Sequence, residues 1–414
     1  MSRLRIVVIG GGVGSAAAVT ELRTRGFDGD ITLVSAENTA PYERPPLSKG
    51  FLLGTSGSVP AKDPAWYEQE SVELLLGSRA TRLDLAARTV TLSGGSVLGY
   101  DQLLLATGVR PRVLPGVTGD GVCYLRTAED AAGLRDRITA AGHVAVLGGG
   151  FIGCEVAAAA IRLGKRATIL EALPTLLHRA LGPALGDVVA GIHRDEGVDV
   201  RTGQQVLGIQ PLPGGGLRMS TADGAVDADV LVVGVGTVPN AELAEQAGLP
   251  AANGIAVDEY FATAAPGVYA IGDVAAQHLP GHGRSIRVEH HDTAIRHGRV
   301  AARNMLGRRE PFSDVHWFWS DQFEHTIQSA GLSDGTVLSD GTGPLIIRGS
   351  LEQRSFSAFS LDGDRLRTVI SLNRPRDVLD VRRLIARDHS ATADQLRDES
   401  LPLKRLVRPA VTVT

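Results

Sequence analysis

Two glycine-rich turns carry most of the chemistry legible in this chain. Ile6-Val7-Val8-Ile9 runs into Gly10-Gly11-Gly12-Val13-Gly14-Ser15, and Val144-Ala145-Val146-Leu147 runs into Gly148-Gly149-Gly150-Phe151-Ile152-Gly153. In each, glycines let the backbone approach a pyrophosphate, and the helix that follows offers its first N–H groups and its dipole to the anion. Each turn is followed by an apolar run with a carboxylate at its end: Glu37, 25 positions past Gly12, and Glu171, 21 past Gly150. A carboxylate there can hydrogen-bond an adenosine ribose. A further strand, Gly267-Val268-Tyr269-Ala270-Ile271, ends at Gly272-Asp273 and sets a carboxylate at the carboxyl edge of a sheet, suited to polyol hydroxyls. Two dinucleotide seats in one chain point to a flavin and a nicotinamide exchanging electrons.

The elements that position these residues follow from periodicity and punctuation. The first unit reads as strand 4–9, helix 13–25 and strand 31–34, then a polar loop through Tyr42–Lys49 where Pro41, Pro45 and Pro46 forbid a regular helix. A short helix near 63–70, alternating strands near 72–76, 80–84 and 88–93, and the apolar strand 102–106 complete it. The second unit repeats the pattern: helix 128–141, strand 143–147, helix 151–164, strand 166–170, helix 183–195, strands near 198–201 and 205–210, a turn at Gly215, and the closing run 229–236. Strand 267–271 and a helix at 292–306 follow. From 315 the chain turns Trp/Phe-rich, then shows alternating strands and a terminal helix near 376–387, the pattern of a separate α+β domain.

Composition narrows the function. At 414 residues the chain exceeds one core and fits two or three domains, and its 50 glycines suit an α/β protein rich in tight turns. A net charge of −4 argues against nucleic-acid binding. No apolar run reaches the ~18 residues of a membrane span, and Met1-Ser2-Arg3-Leu4-Arg5 leads directly into a strand, so a soluble, cytoplasmic protein is expected. The two cysteines, Cys123 and Cys154, have neither C-x-x-C nor metal-ligand spacing, so no metal site is expected.

The strings Pro41-Tyr42-Glu43-Arg44-Pro45-Pro46-Leu47-Ser48-Lys49, Ala106-Thr107-Gly108, Gly148–Gly153, Val233-Gly234-Val235-Gly236, Tyr269–Ala275 and Phe318-Trp319-Ser320-Asp321-Gln322 occur in family order. On them the chain resembles the FAD-dependent, NADH-oxidising ferredoxin reductases of oxygenase systems. The resemblance implies two Rossmann-like dinucleotide-binding domains of glutathione-reductase-like α/β fold plus an α+β C-terminal domain. It implies a discontinuous FAD-binding domain at 1–112 and 240–315, an NADH-binding domain at 113–239, and the C-terminal domain at 316–414. Gly10, Gly12, Gly14 and Ser15 would form the FAD pyrophosphate turn, Glu37 would take its ribose, Arg44 and Lys49 its flavin side, and Asp273 its ribityl chain. Ala80, Ala106, Thr107, Gly108, Arg126, Gly148, Gly150, Phe151, Ile152, Gly153, Gly236, Gly272, Glu289 and His290 are also carried over as cofactor-binding. Lys49 is a cation suited to the flavin N5 region, where charge develops on reduction.

Glu171 should prefer NADH, because a carboxylate accepts a free 2′-hydroxyl and repels a 2′-phosphate; His178 and Arg179 could soften that choice. Family members place Glu155 by the nicotinamide amide, although the residue alone reads as a helical surface carboxylate. Trp319 is expected at the flavin edge. Neither cysteine lies in Tyr42–Lys49, where related disulfide and peroxide reductases keep a redox thiol, so a thiol relay is disfavoured and both read as small buried residues. The flavin should instead release single electrons to a ferredoxin-type [2Fe-2S] protein serving an oxygenase or cytochrome P450. The alternative is a redox-sensing interaction protein of the apoptosis-inducing-factor type. An acidic carrier would suit Arg296, Arg299 and Arg303, spaced three and four apart on a predicted helix, with Arg308 and Arg309 beyond. The chain is expected as a monomer or homodimer. It departs from the family at Ser15, which replaces the third glycine, at His290-His291, and at His316 before Trp317.

Overall fold

The structure is a computed structural model describing residues 3–279, 284–331 and 345–406. The chain divides into two units, 1–45 with 58–110 and 237–314, and 46–57 with 111–236 and 315–414. The loop carrying Lys49 thus folds with the second unit, whereas its position in the chain assigned it to the first.

In the first unit, five parallel strands lie in the order Val268–Ala270, Gln102–Leu105, Arg5–Ile9, Asp30–Val34, Val72–Leu75. Ile6, Val7, Val8 and Ile9 are all buried, as expected of a central strand covered on both faces. The helix Val13–Thr24 packs on the helix His291–Met305 through two glycines: a Cβ at Gly298 would lie 2.2 Å from the Gly14 carbonyl oxygen. An antiparallel sheet of Ala80–Asp84, Thr89–Leu92 and Val97–Gly99 adds to this unit.

The second unit builds the same plan again. Its parallel sheet runs Val122–Cys123, Val230–Val233, His143–Leu147, Arg166–Glu171, Asp199–Thr202. The helix Ala128–Ala140 opens on a reciprocal cap between Thr127 and Asp130. Helical residues from His178 to Asp195 break at Gly182 (φ 72°, ψ 176°) and restart at Pro183, so the expected helix from 183 is the second of two pieces. Two hairpin strands, Leu217–Thr221 and Gly224–Ala228, were not anticipated.

An antiparallel sheet follows in the order Trp317–Gln322, His325–Gly331, Arg365–Leu372, Ser355–Asp362, Ile346–Ser350. The helix Pro375–Ile385 packs on it. Phe323, Ile327, Phe356, Ala358, Ile370 and Leu372 share one buried cluster with the nucleotide-sheet residues Val144, Val146 and Ile169. Buried Arg348 ties down the C-terminal segment by donating to the carbonyls of Leu396, Asp398 and Leu401. Among the described residues, no helix is long and apolar enough to cross a membrane, and no group of three or more His, Cys, Asp or Glu could hold a metal ion.

Candidate dinucleotide and electron-transfer site

In the first unit, Gly10 turns the chain at φ 127°, and a Cβ there would lie 2.1 Å from the Ala106 carbonyl oxygen, so only glycine fits. A Cβ on Gly12 would meet nothing within 4 Å. Gly12 also caps the helix Val13–Thr24 without any side-chain acceptor or acidic residue in the first turn, leaving its N–H groups for an external anion. Ser15 is fully buried and its Oγ has no hydrogen-bond partner. Thr107 Oγ1 donates to the Asn240 carbonyl at 2.7 Å and Asn240 Nδ2 returns a bond to the Thr107 carbonyl at 2.9 Å, joining two segments 133 positions apart.

Glu37 accepts from the Tyr42 hydroxyl at 2.5 Å and from Arg44 Nη2 at 2.6 Å, and the Arg44 guanidinium lies 5.2 Å over the Tyr42 ring. Arg44 is thus paired with Glu37, which sequence reasoning had named separately. Gly272 begins a 3₁₀ turn at φ 68°, and its N–H donates to His297 Nδ1 at 3.3 Å. His297 is held by Phe261 and Phe312, with ring centroids 4.3 and 4.6 Å away. Sequence reasoning missed this support for the turn that presents half-buried Asp273. The Asp273 carbonyl accepts from Arg287 at 3.0 Å, and Arg287 pairs with Glu289, which also accepts from Thr237 Oγ1 at 2.6 Å. Burial pushes the His290 imidazole down to about 4 and lowers that of His291 as well. Ala80 opens its strand opposite Leu92.

The helix His291–Met305 carries all three arginines of the expected stripe. Arg296 is bound to Asp292 at 2.6 Å and Asp314 at 3.0 Å, and Arg303 to Glu310 at 2.7 Å and Glu21 at 3.1 Å. Two of the three charges are neutralised in place and tie the helix to its neighbours; Arg299 is exposed.

In the second unit the glycine turn is more complete. Gly148 has φ 105°, with a would-be Cβ 2.4 Å from the Gly234 carbonyl oxygen, and a Cβ on Gly153 would lie 2.1 Å from the Gly148 carbonyl oxygen. Gly150 caps its helix with open space before it and no side-chain cap. The Glu171 carboxylate accepts the N–H of Gly149 at 2.6 Å and that of Leu173 at 2.7 Å, which fixes it against the turn. His178 and Arg179 begin the helix after Leu177, whose N–H donates to the Gly149 carbonyl at 2.8 Å. Ile152 is exposed beside Phe151, whose ring meets Phe318 edge-on at 4.9 Å. Gly236 turns at φ 103° and its carbonyl accepts from the Arg112 N–H at 2.9 Å. The Arg126 N–H donates to Asp130 at 3.0 Å.

Glu155 is only 5 % exposed, which overturns its reading as a surface carboxylate. Lys49 Nζ lies 2.8 Å from its Oε2, Ser48 Oγ donates to the same oxygen, and Ser320 Oγ donates to Oε1 at 2.6 Å. Sequence reasoning named Lys49 and Glu155 separately and missed both serines. Trp319 stacks on Trp317 with centroids 5.1 Å apart and planes 21° from parallel. Cys154 is fully buried and its thiol is pushed far up; Cys123 is half-buried, with its thiol raised by the same desolvation. Neither is a reactive thiolate.

Two strand–glycine–helix units, each capped toward open space, define a two-dinucleotide flavoprotein class. Residues 4–298 match the pyridine nucleotide-disulphide oxidoreductase family and residues 317–407 the reductase C-terminal family. The chain belongs to the pyridine nucleotide-disulphide oxidoreductase family, whose cofactors are FAD and NAD(H). It is similar to rhodocoxin reductase of Rhodococcus erythropolis, 38% identical over 406 residues covering 97% of this chain and 94% of that protein. It is likewise similar to the ferredoxin–NAD(+) reductase component of the anthranilate 1,2-dioxygenase system of Burkholderia cepacia, 38% identical with 98% and 99% covered. The crystal structure of the covalent putidaredoxin reductase–putidaredoxin complex matches with a TM-score of 0.93 at 35% identity, covering 98% of this chain and 99% of that one. The open ground before Gly12 and Gly150 and the uncapped helix ends fit the pyrophosphates of these cofactors.

Proposed function

We propose that this chain is an NADH:ferredoxin oxidoreductase that passes electrons through FAD to a ferredoxin-type [2Fe-2S] protein serving an oxygenase or cytochrome P450. When bound, FAD supplies the conversion of a two-electron donor into one-electron deliveries. Gly10, Gly12, Gly14 and Ser15 bind its pyrophosphate, Glu37 with Arg44 its ribose end, and Asp273 its ribityl chain. Gly148, Gly150, Phe151, Ile152, Gly153 and Glu171 bind NADH, with Gly236 and Arg126 at the margins. Lys49, Glu155 and Trp319 act at the flavin ring. The domain assignment 1–112 with 240–315, 113–239 and 316–414, and a cytoplasmic location, belong to the same reading.

The observation that carries it is the ion pair between half-buried Lys49 and buried Glu155, 2.8 Å apart, in a chain with an anion-ready helix end after each glycine turn. A relative whose name includes a ferredoxin, matched over 98% of this chain, supports the acceptor. Disulfide chemistry is disfavoured because no cysteine occurs in Tyr42–Lys49 and Cys154 is buried and protonated. The acceptor surface is assigned to Arg299 and Arg308, since Arg296 and Arg303 are held by carboxylates. The test is NADH oxidation by the FAD-loaded chain with and without a [2Fe-2S] ferredoxin: cytochrome c reduction that depends on the ferredoxin supports the reading, and ferredoxin-independent disulfide or peroxide turnover sinks it.

A further inference from the structure

We infer that Ser320, Gln322 and His193 form a positioning chain that fixes the Glu155–Lys49 pair in the orientation needed for reduction of bound FAD by NADH. This rests on the reading that Lys49 and Glu155 act at the flavin ring. His193, Gln322, Ser320 and Glu155 are each at least nine-tenths buried. His193 Nε2 lies 3.0 Å from Gln322 Oε1, Gln322 Nε2 lies 3.1 Å from Ser320 Oγ, and Ser320 Oγ lies 2.6 Å from Glu155 Oε1. Ser320 and Gln322 sit two apart on one strand, so both face the same side, as the period of two requires.

The direction of every bond is fixed by chemistry. Lys49 can only donate and a carboxylate can only accept, so the hydroxyls of Ser48 and Ser320 both give their protons to Glu155. The Ser320 oxygen then accepts from the Gln322 amide nitrogen, which turns the Gln322 oxygen toward His193. His193 must therefore carry its proton on Nε2 and donate. Burial lowers the His193 imidazole, consistent with a neutral ring bearing one N–H. The edge-on ring of Phe323, 5.2 Å away, holds it. Donors thus run in one direction from the last turn of the helix ending at Asp195, through the strand Trp317–Gln322, to the carboxylate that grips Lys49. Neither end can rotate without leaving a buried donor unmet.

The test uses the full FAD-loaded chain in rapid-mixing reduction by NADH. Ser320→Ala, Gln322→Met and His193→Leu should each lower the limiting reduction rate by roughly tenfold to a hundredfold, the cost of a misplaced reacting geometry. The NADH half-saturation concentration should stay unchanged, and His193→Gln, which keeps a donor near Nε2, should recover most of the rate. If a longer variant fails to retain FAD, Ser320→Ala, the loss of a single oxygen, decides. Parent-like rates in a flavin-loaded Ser320→Ala, or a loss confined to half-saturation, overturns the inference. Lys49→Met and Glu155→Gln separate the two claims. If they slow reduction and Ser320→Ala does not, only the positioning chain fails; if they too leave the rate unchanged, both fall.

Discussion

The Glu171 carboxylate accepts two backbone N–H groups, of Gly149 and Leu173, and in the proposed function the same group sets the cofactor choice. Glu171→Gln should lower NADH kcat/KM and narrow the preference over NADPH by roughly tenfold or more, because the repulsion of a 2′-phosphate disappears while one backbone donor loses its acceptor. Steady-state kinetics with both nucleotides checks this, and an unchanged preference would remove Glu171 from the choice. His290 gives a pH prediction whose sign is set by burial. Above about 6.5 it is neutral folded and unfolded; below that the unfolded chain binds a proton that the folded chain refuses until about 4, so stability falls on acidification across this window. His290→Asn should flatten the fall in Tm between those values, and an identical slope would contradict it. At this scale the glycines of both turns, and the two carboxylates that follow them, Glu37 and Glu171, were readable from spacing alone. Ser48, Ser320 and His193 were not, because their partners lie 107, 165 and 129 positions away and no local pattern marks them. The alternation of Ser320 and Gln322 was the one available signal.

The contact between the helices Val13–Thr24 and His291–Met305 depends on glycine at both crossing points. Gly298→Ala would drive a methyl against the Gly14 carbonyl and should cost about 1–3 kcal/mol of stability and weaken FAD retention, since the pyrophosphate turn opens the first helix. Gly133→Ala, exposed in the helix Ala128–Ala140 with nothing near its Cβ, should instead raise stability by about 0.5–1 kcal/mol. Thermal unfolding of the two variants checks the contrast; equal effects would show that helix propensity, and not the close approach, governs Gly298. Most helices and parallel strands followed from apolar runs and breakers. The strand Trp317–Gln322 did not, because Trp317, Phe318 and Trp319 are all half-buried in succession and show no alternation. The break at Gly182 was legible through Pro183, but the short helical piece before it had no cap to announce it.

At the scale of the whole molecule, a net charge of −4 has to coexist with a surface that receives a carrier. Arginine spacing alone suggested three docking charges, and the structure leaves two of them bound within the fold, since spacing cannot see the acidic partners Glu21, Glu310 and Asp314. Arg299→Glu with Arg308→Glu should therefore slow ferredoxin reduction and weaken its salt dependence while leaving NADH–ferricyanide turnover intact. Arg303→Glu should instead lower stability, because it breaks two ion pairs at once. Kinetics across ionic strength checks the first and thermal unfolding the second. The most direct test of the central claim is an anaerobic titration of the FAD-loaded chain with NADH, followed by addition of an oxidised [2Fe-2S] ferredoxin. The account predicts that NADH bleaches the flavin, and that the ferredoxin is then reduced in one-electron steps as the flavin colour returns. A flavin that NADH reduces but that leaves the ferredoxin oxidised would contradict it.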